Sequence, residues 1–241
     1  MRNQKRIKTK SFLFLILFLF STSLISLQTL KKVNVKDLRI SGSEFFSQND
    51  LVVNSSLKFP IRLIFIKTNF LEKELKQNLS LKNVSVNREL FPFGLRVKVD
   101  TRTPTAYGEK ILNDEKKLGF IDKEGFFIDR KNADNKNLNN LTIQVFGWKE
   151  KFKNILSEIF IAQENYELEI VKVSFSPHGF LTIEEKDLKT IFLGFSPNSI
   201  NYQLQIINNL KYEFKKNNFY KKIDKIDLTE PNKPKIKVFK P

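Results

Sequence analysis

The chain has 241 residues, 42 Lys+Arg against 26 Asp+Glu for a net charge of +16, one His and no Cys. Without Cys there is no disulfide scaffold, zinc ribbon or Cys nucleophile, and a single His leaves a His-based metal site without a second ligand. Of the 42 cations, 34 are Lys and only 8 are Arg, spread along the chain, so the guanidinium fork that reads phosphates and bases is scarce and no nucleic-acid partner is expected.

Residues 1–10 carry five cations (Arg2, Lys5, Arg6, Lys8, Lys10) and no acid, and Ser11 to Leu30 carry no charge. Twenty helical residues span about 30 Å, the thickness of a bilayer core. This pattern predicts a cytoplasmic tail over 1–10 and a single transmembrane signal anchor over 11–30. The anchor's apolar heart is Phe12, Leu13, Phe14, Leu15, Ile16, Leu17, Phe18, Leu19 and Phe20. The flanking cations orient it so that everything after Leu30 is exported. A cleaved export signal is the rival, with Ser21-Thr22-Ser23 as its cleavage region. The lack of Ala there, and the apolar residues resuming at Leu24, Ile25, Leu27 and Leu30, favour the uncleaved anchor.

Residues 33–102 read as a small α+β unit. Val33 to Ile40 predicts a strand whose apolar parity shifts between Val35 and Leu38, the mark of a bulge or late start. Ser47 with Asp50 is a capping-box spacing opening a helix to about Leu57. Leu71, Leu75 and Leu79 fall on one face of a second helix, over about 69–79. Val84 and Val86, then Leu95, Val97 and Val99 alternating with polar residues, predict two strands joined by a turn at Phe91-Pro92-Phe93-Gly94. The order is β-α-α-β-β.

Residues 103–241 read as a strand-rich β domain with two helices. A hairpin is expected across Lys123-Glu124, a helix over Trp148 to Gln163, and a three-strand meander over about 168–193. A long helix follows over about 197–217, with Ile200, Leu204, Ile207 and Leu210 on one face. Strands near 223–228 and 235–239 end the chain.

An envelope-anchored Ser/Lys-type peptidase would share the N-terminal plan. It needs a marked nucleophile and an activated Lys, and no G-x-S-x-G elbow is present. His178 falls in a turn, and Asp122 and Glu124 flank Gly125 in a hairpin with no cleft wall announced for an acid/base pair. No enzyme activity, cofactor, metal or small-molecule substrate is expected.

The plan resembles the bacterial cell-division family FtsQ (DivIB), whose first exported unit is a POTRA domain. The resemblance rests on several stretches in order. They are Leu38-Arg39-Ile40-Ser41-Gly42, then Val84-Ser85-Val86-Asn87-Arg88 with Phe91-Pro92 and Leu95-Arg96-Val97-Lys98-Val99. Next come Arg102-Thr103-Pro104-Thr105-Ala106 and Phe120-Ile121-Asp122-Lys123-Glu124-Gly125, and finally Ile191-Phe192-Leu193-Gly194 and Lys225-Ile226-Asp227-Leu228. Thr101 stands where the family carries an acid before Arg102. A different POTRA-containing envelope assembly protein is the alternative, although outer-membrane transporters with such units continue into a barrel, and the residues after 102 show no lipid-facing strand series.

The resemblance implies a non-enzymatic scaffold of the division septum in the inner membrane. Its partners would be FtsB/DivIC-like and FtsL-like single-span division proteins, with inner-membrane lipid around the anchor. It also implies β-strand addition at the C-terminal edge, carried by Ile226, Leu228, Thr229, Glu230, Lys235, Ile236, Lys237, Val238 and Phe239. Unpaired strand edges are suited to this kind of capture. The family often continues with Arg-Tyr and a Gly-containing turn after Asp-Leu; here Thr229-Glu230-Pro231-Asn232-Lys233-Pro234 follows, and Pro234 removes one donor.

Overall fold

The computed structural model describes residues 12–23, 26, 30–112, 115–134, 138, 140–195 and 199–239. The expected tail 1–10 and part of the expected anchor 11–30 therefore lie outside the described residues. Residues 12–23 form a helix, α1, and every side chain from Phe12 to Phe20 is exposed. No helix among the described residues is long and apolar enough to cross a membrane; the twelve residues of α1 span about 18 Å.

Two compact units divide between Thr101 and Arg102. In the first, β1 (Lys32–Val33) is followed by a 3-10 turn at Val35–Asp37 and β2 (Leu38–Ser41). The parity shift in the sequence is thus a helical turn between two strands, with β2 starting late at Leu38, and not a bulge within one strand. Helix α2 (Gln48–Val53) starts on the expected capping box: Ser47 Oγ accepts from Asp50 N at 3.2 Å, and Ser47 N donates to the Asp50 carboxylate at 2.8 Å. It ends at Val53, four residues before the expected Leu57, with the Asn54 backbone and side-chain amides both on Asp50 O.

The hydroxyl and amide of Ser47 hold the Asp50 carboxyl below its ordinary value. The sign follows from linkage: this stabilisation is present above the unfolded-state carboxylate pKa and is lost as pH falls through the lowered one. Ser47→Ala is expected to cost about 1 kcal/mol, read as a lower urea midpoint for the first unit at neutral pH with a shrinking difference in acid.

Strand β3 (Ile61–Arg62) pairs antiparallel with β1, a pairing that had no sequence signal. Helix α3 (Thr68–Asn78) then leads to β4 (Asn83–Leu90) and β5 (Phe93–Asp100). The sheet order is β2-β5-β4, with β2 parallel and β4 antiparallel to β5. Leu71, Leu75 and Leu79 pack against Val84, Val86, Leu95, Val97 and Val99. Each such side chain contributes about 1.5–3 kcal/mol relative to exposure. The turn is only Phe91-Pro92; Gly94 sits inside β5, where a Cβ would come within 2.2 Å of Asp37 O.

The second unit is built on one nine-stranded sheet. Its strands are β6 (Pro104–Leu112), β7 (Glu115–Asp122), β8 (Phe127–Asp129), β9 (Ile143–Trp148), β10 (Ile170–Phe175), β11 (Leu181–Glu185), β12 (Lys189–Gly194), β13 (Ile223–Asp227) and β14 (Lys235–Val238). Their order across the sheet is β14-β13-β12-β11-β10-β9-β6-β7-β8. Helices α4 (Lys153–Asn165) and α5 (Ile200–Lys216) supply the core. Leu156, Ile159, Leu204 and Ile207 pack with Val145, Val173, Ile183, Ile191 and Ile226 in one buried cluster.

The expected meander is β10-β11-β12. Strands β6 and β9 were not expected, and Trp148, read as a helix start, ends β9. Its indole donates to Gly125 O at 2.9 Å.

Candidate partner-binding edge

Strand β14 is the last in the sheet, and its position is set by α5 and β13. The α5 side chain Gln203 is buried, and its Nε2 donates to Leu193 O and to Leu228 O, both at 2.7 Å. It thereby ties the ends of β12 and β13, which run parallel with Ile191 opposite Ile226. Asp227 then turns the chain: its Oδ1 accepts from Thr229 N at 3.0 Å and Thr229 Oγ1 at 2.7 Å. These bonds from the Thr229 hydroxyl and amide hold the Asp227 carboxyl below its ordinary value. Lys233 N closes on Glu230 O at 2.9 Å, and β14 returns antiparallel to β13.

The register settles which groups of β14 are free. Lys235 faces Asp227, Ile236 faces Ile226, and Lys237 faces Lys225. Leu228 N bonds to Phe192 O, so Leu228 and Ile226 turn their backbone polar groups toward β12. Alternation then turns Asp227 and Lys225 toward β14. Phe239 N bonds to Lys222 O at 2.9 Å, which gives Lys235, Lys237 and Phe239 the inward phase. The N–H and C=O of Ile236 and Val238 therefore point away from the sheet. Pro234 shares their phase, so the free edge has its first donor at Ile236.

The side chains divide by the same rule. Ile236 and Val238 lie on the face of the buried Ile226 and Ile223, extending the core face past its covered part, and are 39% and 40% exposed. Phe239 beyond them is exposed. Lys235 and Lys237 occupy the other face, where Lys237 Nζ is 3.5 Å from Asp224.

Of the nine residues expected at the edge, Lys235, Ile236, Lys237, Val238 and Phe239 are exposed, and Thr229 and Glu230 are exposed on the turn. Ile226 and Leu228 are fully buried, and β13 is paired on both sides. These two support the edge from beneath and offer no surface of their own.

Outside the edge, Asp122 and Glu124 are already engaged by Arg102. Asp122 accepts from Arg102 Nη1 at 2.5 Å and from Phe126 N at 2.8 Å, and Glu124 is 3.3 Å from the same guanidinium. Arg102 stacks on the Phe126 ring. His178 lies in the turn between β10 and β11, beside an apolar cavity of about 400 Å³ whose described lining has no carboxylate.

Against known proteins, residues 33–102 match the family model described as POTRA domain, FtsQ-type. The first unit is thus a POTRA domain of the FtsQ type, a class whose presence points to a division-related scaffold role and to protein–protein interactions in division. No curated protein matches the chain.

Proposed function

We propose that the protein is a non-enzymatic scaffold of the division septum, held in the inner membrane by residues 11–30 with its tail 1–10 in the cytoplasm. Residues 33–102 are the POTRA domain, and 103–241 are the β domain that captures FtsB/DivIC-like and FtsL-like single-span proteins. Capture is by strand addition to β14. The observation that carries this reading is the outward phase of Ile236 and Val238 on an edge strand, in a chain that also carries an FtsQ-type unit. A partner strand would pair with those N–H and C=O groups and cover the exposed faces of Ile236, Val238 and Phe239.

A fluorescent fusion is expected to gather at mid-cell, and depletion is expected to block septation; a diffuse envelope signal with normal division would sink the reading. The edge itself is tested by proline placement. Val238→Pro removes an outward donor and spares the β13–β14 bonds, so partner co-purification should fall about 5–150-fold, the worth of a lost hydrogen bond with its acceptor left unpaired. The unfolding midpoint should stay near that of the parent chain. Lys237→Pro removes an inward donor and should loosen β14 itself. Equal co-purification by parent chain and Val238→Pro would refute the edge assignment.

A further inference from the structure

We propose that one end of the POTRA unit rests on the anionic lipid surface beside the anchor, with Ile64, Phe65 and Phe70 seated at headgroup depth. This rests on the reading of residues 11–30 as a membrane anchor. The exposed large apolar side chains of this unit are concentrated at that end. Outside α1 they are Leu30, Ile64, Phe65, Phe70 and Phe91 together with Phe45 and Val53, and the first five share one end.

The bonding shows why. Lys32 pairs with Arg62, and Leu63 N donates to Lys31 O at 3.3 Å, so the turn carrying Ile64 and Phe65 sits directly against the chain that leaves the anchor. Arg88 donates to Ile66 O at 2.6 Å, and Lys31 Nζ lies 5.9 Å from the Phe93 ring, which brings in the β4–β5 hairpin with Phe91 at its tip. Phe70 is in the first turn of α3. Phe65 is 64% and Phe70 59% exposed, while Leu63 and Ile66 between and beside them are buried, so the turn is held rigidly with its apolar tips outward.

Charge supplies the second argument. Residues 51–71 contain Lys58, Arg62 and Lys67 and no acid, and residues 1–36 contain no acid at all. Of the acids nearest this end, Asp37 accepts from Asn34 N at 2.8 Å, Glu72, two residues after Phe70, accepts from Val86 N at 2.7 Å, and Glu89 is paired with both Arg39 and Arg96. An apolar tip with a cationic rim matches the boundary between acyl chains and anionic headgroups, where aromatic rings are favoured. The covalent link from Leu30 to Lys31 keeps this end at high local concentration beside the bilayer, so a weak contact suffices to hold it there.

The absence of Cys makes the test direct. Single Phe65→Cys, Phe70→Cys and Asn83→Cys variants of the full chain carry an environment-sensitive NBD label. They are placed in phosphatidylethanolamine vesicles with about a quarter phosphatidylglycerol and probed with a doxyl-lipid quencher. Asn83 starts β4 and lies at the far end of a strand about 24 Å long. Blue-shifted emission and several-fold stronger quenching at 65 and 70 than at 83, both reduced in pure phosphatidylcholine, are the expected result. Quenching at 65 and 70 no greater than at 83, in chains that stay with the vesicles through alkaline carbonate, overturns the inference and leaves the anchor standing. A blue shift without quenching puts protein there and also overturns it. Release of the chain by carbonate overturns the anchor and this inference together.

Discussion

Glu185→Ala is expected to destabilise the second unit by about 3–5 kcal/mol, the cost of stranding the partner of a buried ion pair. The Glu185 side chain is fully buried, and its carboxylate has four bonds. Oε1 accepts from Lys211 Nζ at 2.8 Å and Glu169 N at 3.1 Å, and Oε2 accepts from Asp187 N at 2.7 Å and Leu188 N at 2.8 Å. Lys211, on α5, also donates to Glu167 O at 2.9 Å. One carboxylate thus joins the end of α5 to the β11–β12 turn and to the entry of β10.

Removing it leaves an ammonium and three amides without this acceptor in a low-dielectric site. Domains are stable by only about 5–15 kcal/mol, so the loss would remove a large share of the unit's stability. Urea unfolding of the full chain in detergent, followed by Trp148 fluorescence, measures it. A double change, Glu185→Leu with Lys211→Met, removes both charges and should cost clearly less than Glu185→Ala alone. A loss under about 1 kcal/mol for the single change would mean that the pair is solvated.

Asp122→Ala is the second large effect, expected near the lower end of about 3–5 kcal/mol. The Arg102 and Asp122 side chains are only 5% and 7% exposed. Glu124 remains to face Arg102, but it is half exposed and 3.3 Å away, so it compensates in part. Phe126 N also loses its acceptor. The same urea experiment reads the loss, and Glu124→Ala should cost much less because that carboxylate is solvated. Equal losses for the two variants would remove the distinction drawn between them.

This pair explains something about the sequence. Arg102-Thr103-Pro104-Thr105-Ala106 and Phe120-Ile121-Asp122-Lys123-Glu124-Gly125 resemble the FtsQ family as two separate stretches. In the fold they are one feature, an arginine at the entry of β6 anchored on the turn after β7. Sequence reasoning weighed Asp122 and Glu124 as an acid/base pair because nothing local marks Arg102 as their partner.

The POTRA unit was legible because its signals are local. Alternation in Leu95, Val97 and Val99, the i, i+4 spacing of Leu71, Leu75 and Leu79, and the Ser47 cap each report their element within a few residues. The second unit was legible where its strands run as a meander. It was not legible at β6 and β9, which pair parallel with each other. Parallel pairing leaves no hairpin signal. Gly108 of β6 faces Gly119 of β7, and the missing side chains make room for the Phe127 ring, so apolar alternation lapses where packing is tight. At the edge, sequence reading found the strands but gave Ile226 and Leu228 the same standing as Ile236 and Val238. Both pairs are apolar and alternate with polar residues, and only the position of a strand in its sheet separates support from surface.

Gln203 carries one more consequence. A strand that slips by one residue exchanges its two faces. Such a slip in β13 would carry β14 with it, turning Lys235 and Lys237 to the core side and the isoleucine and valine to the other. By holding Leu193 O and Leu228 O with one amide, a helix residue fixes the point at which β13 stops and hence the phase of everything after it. The face that β14 presents is decided before β14 is reached.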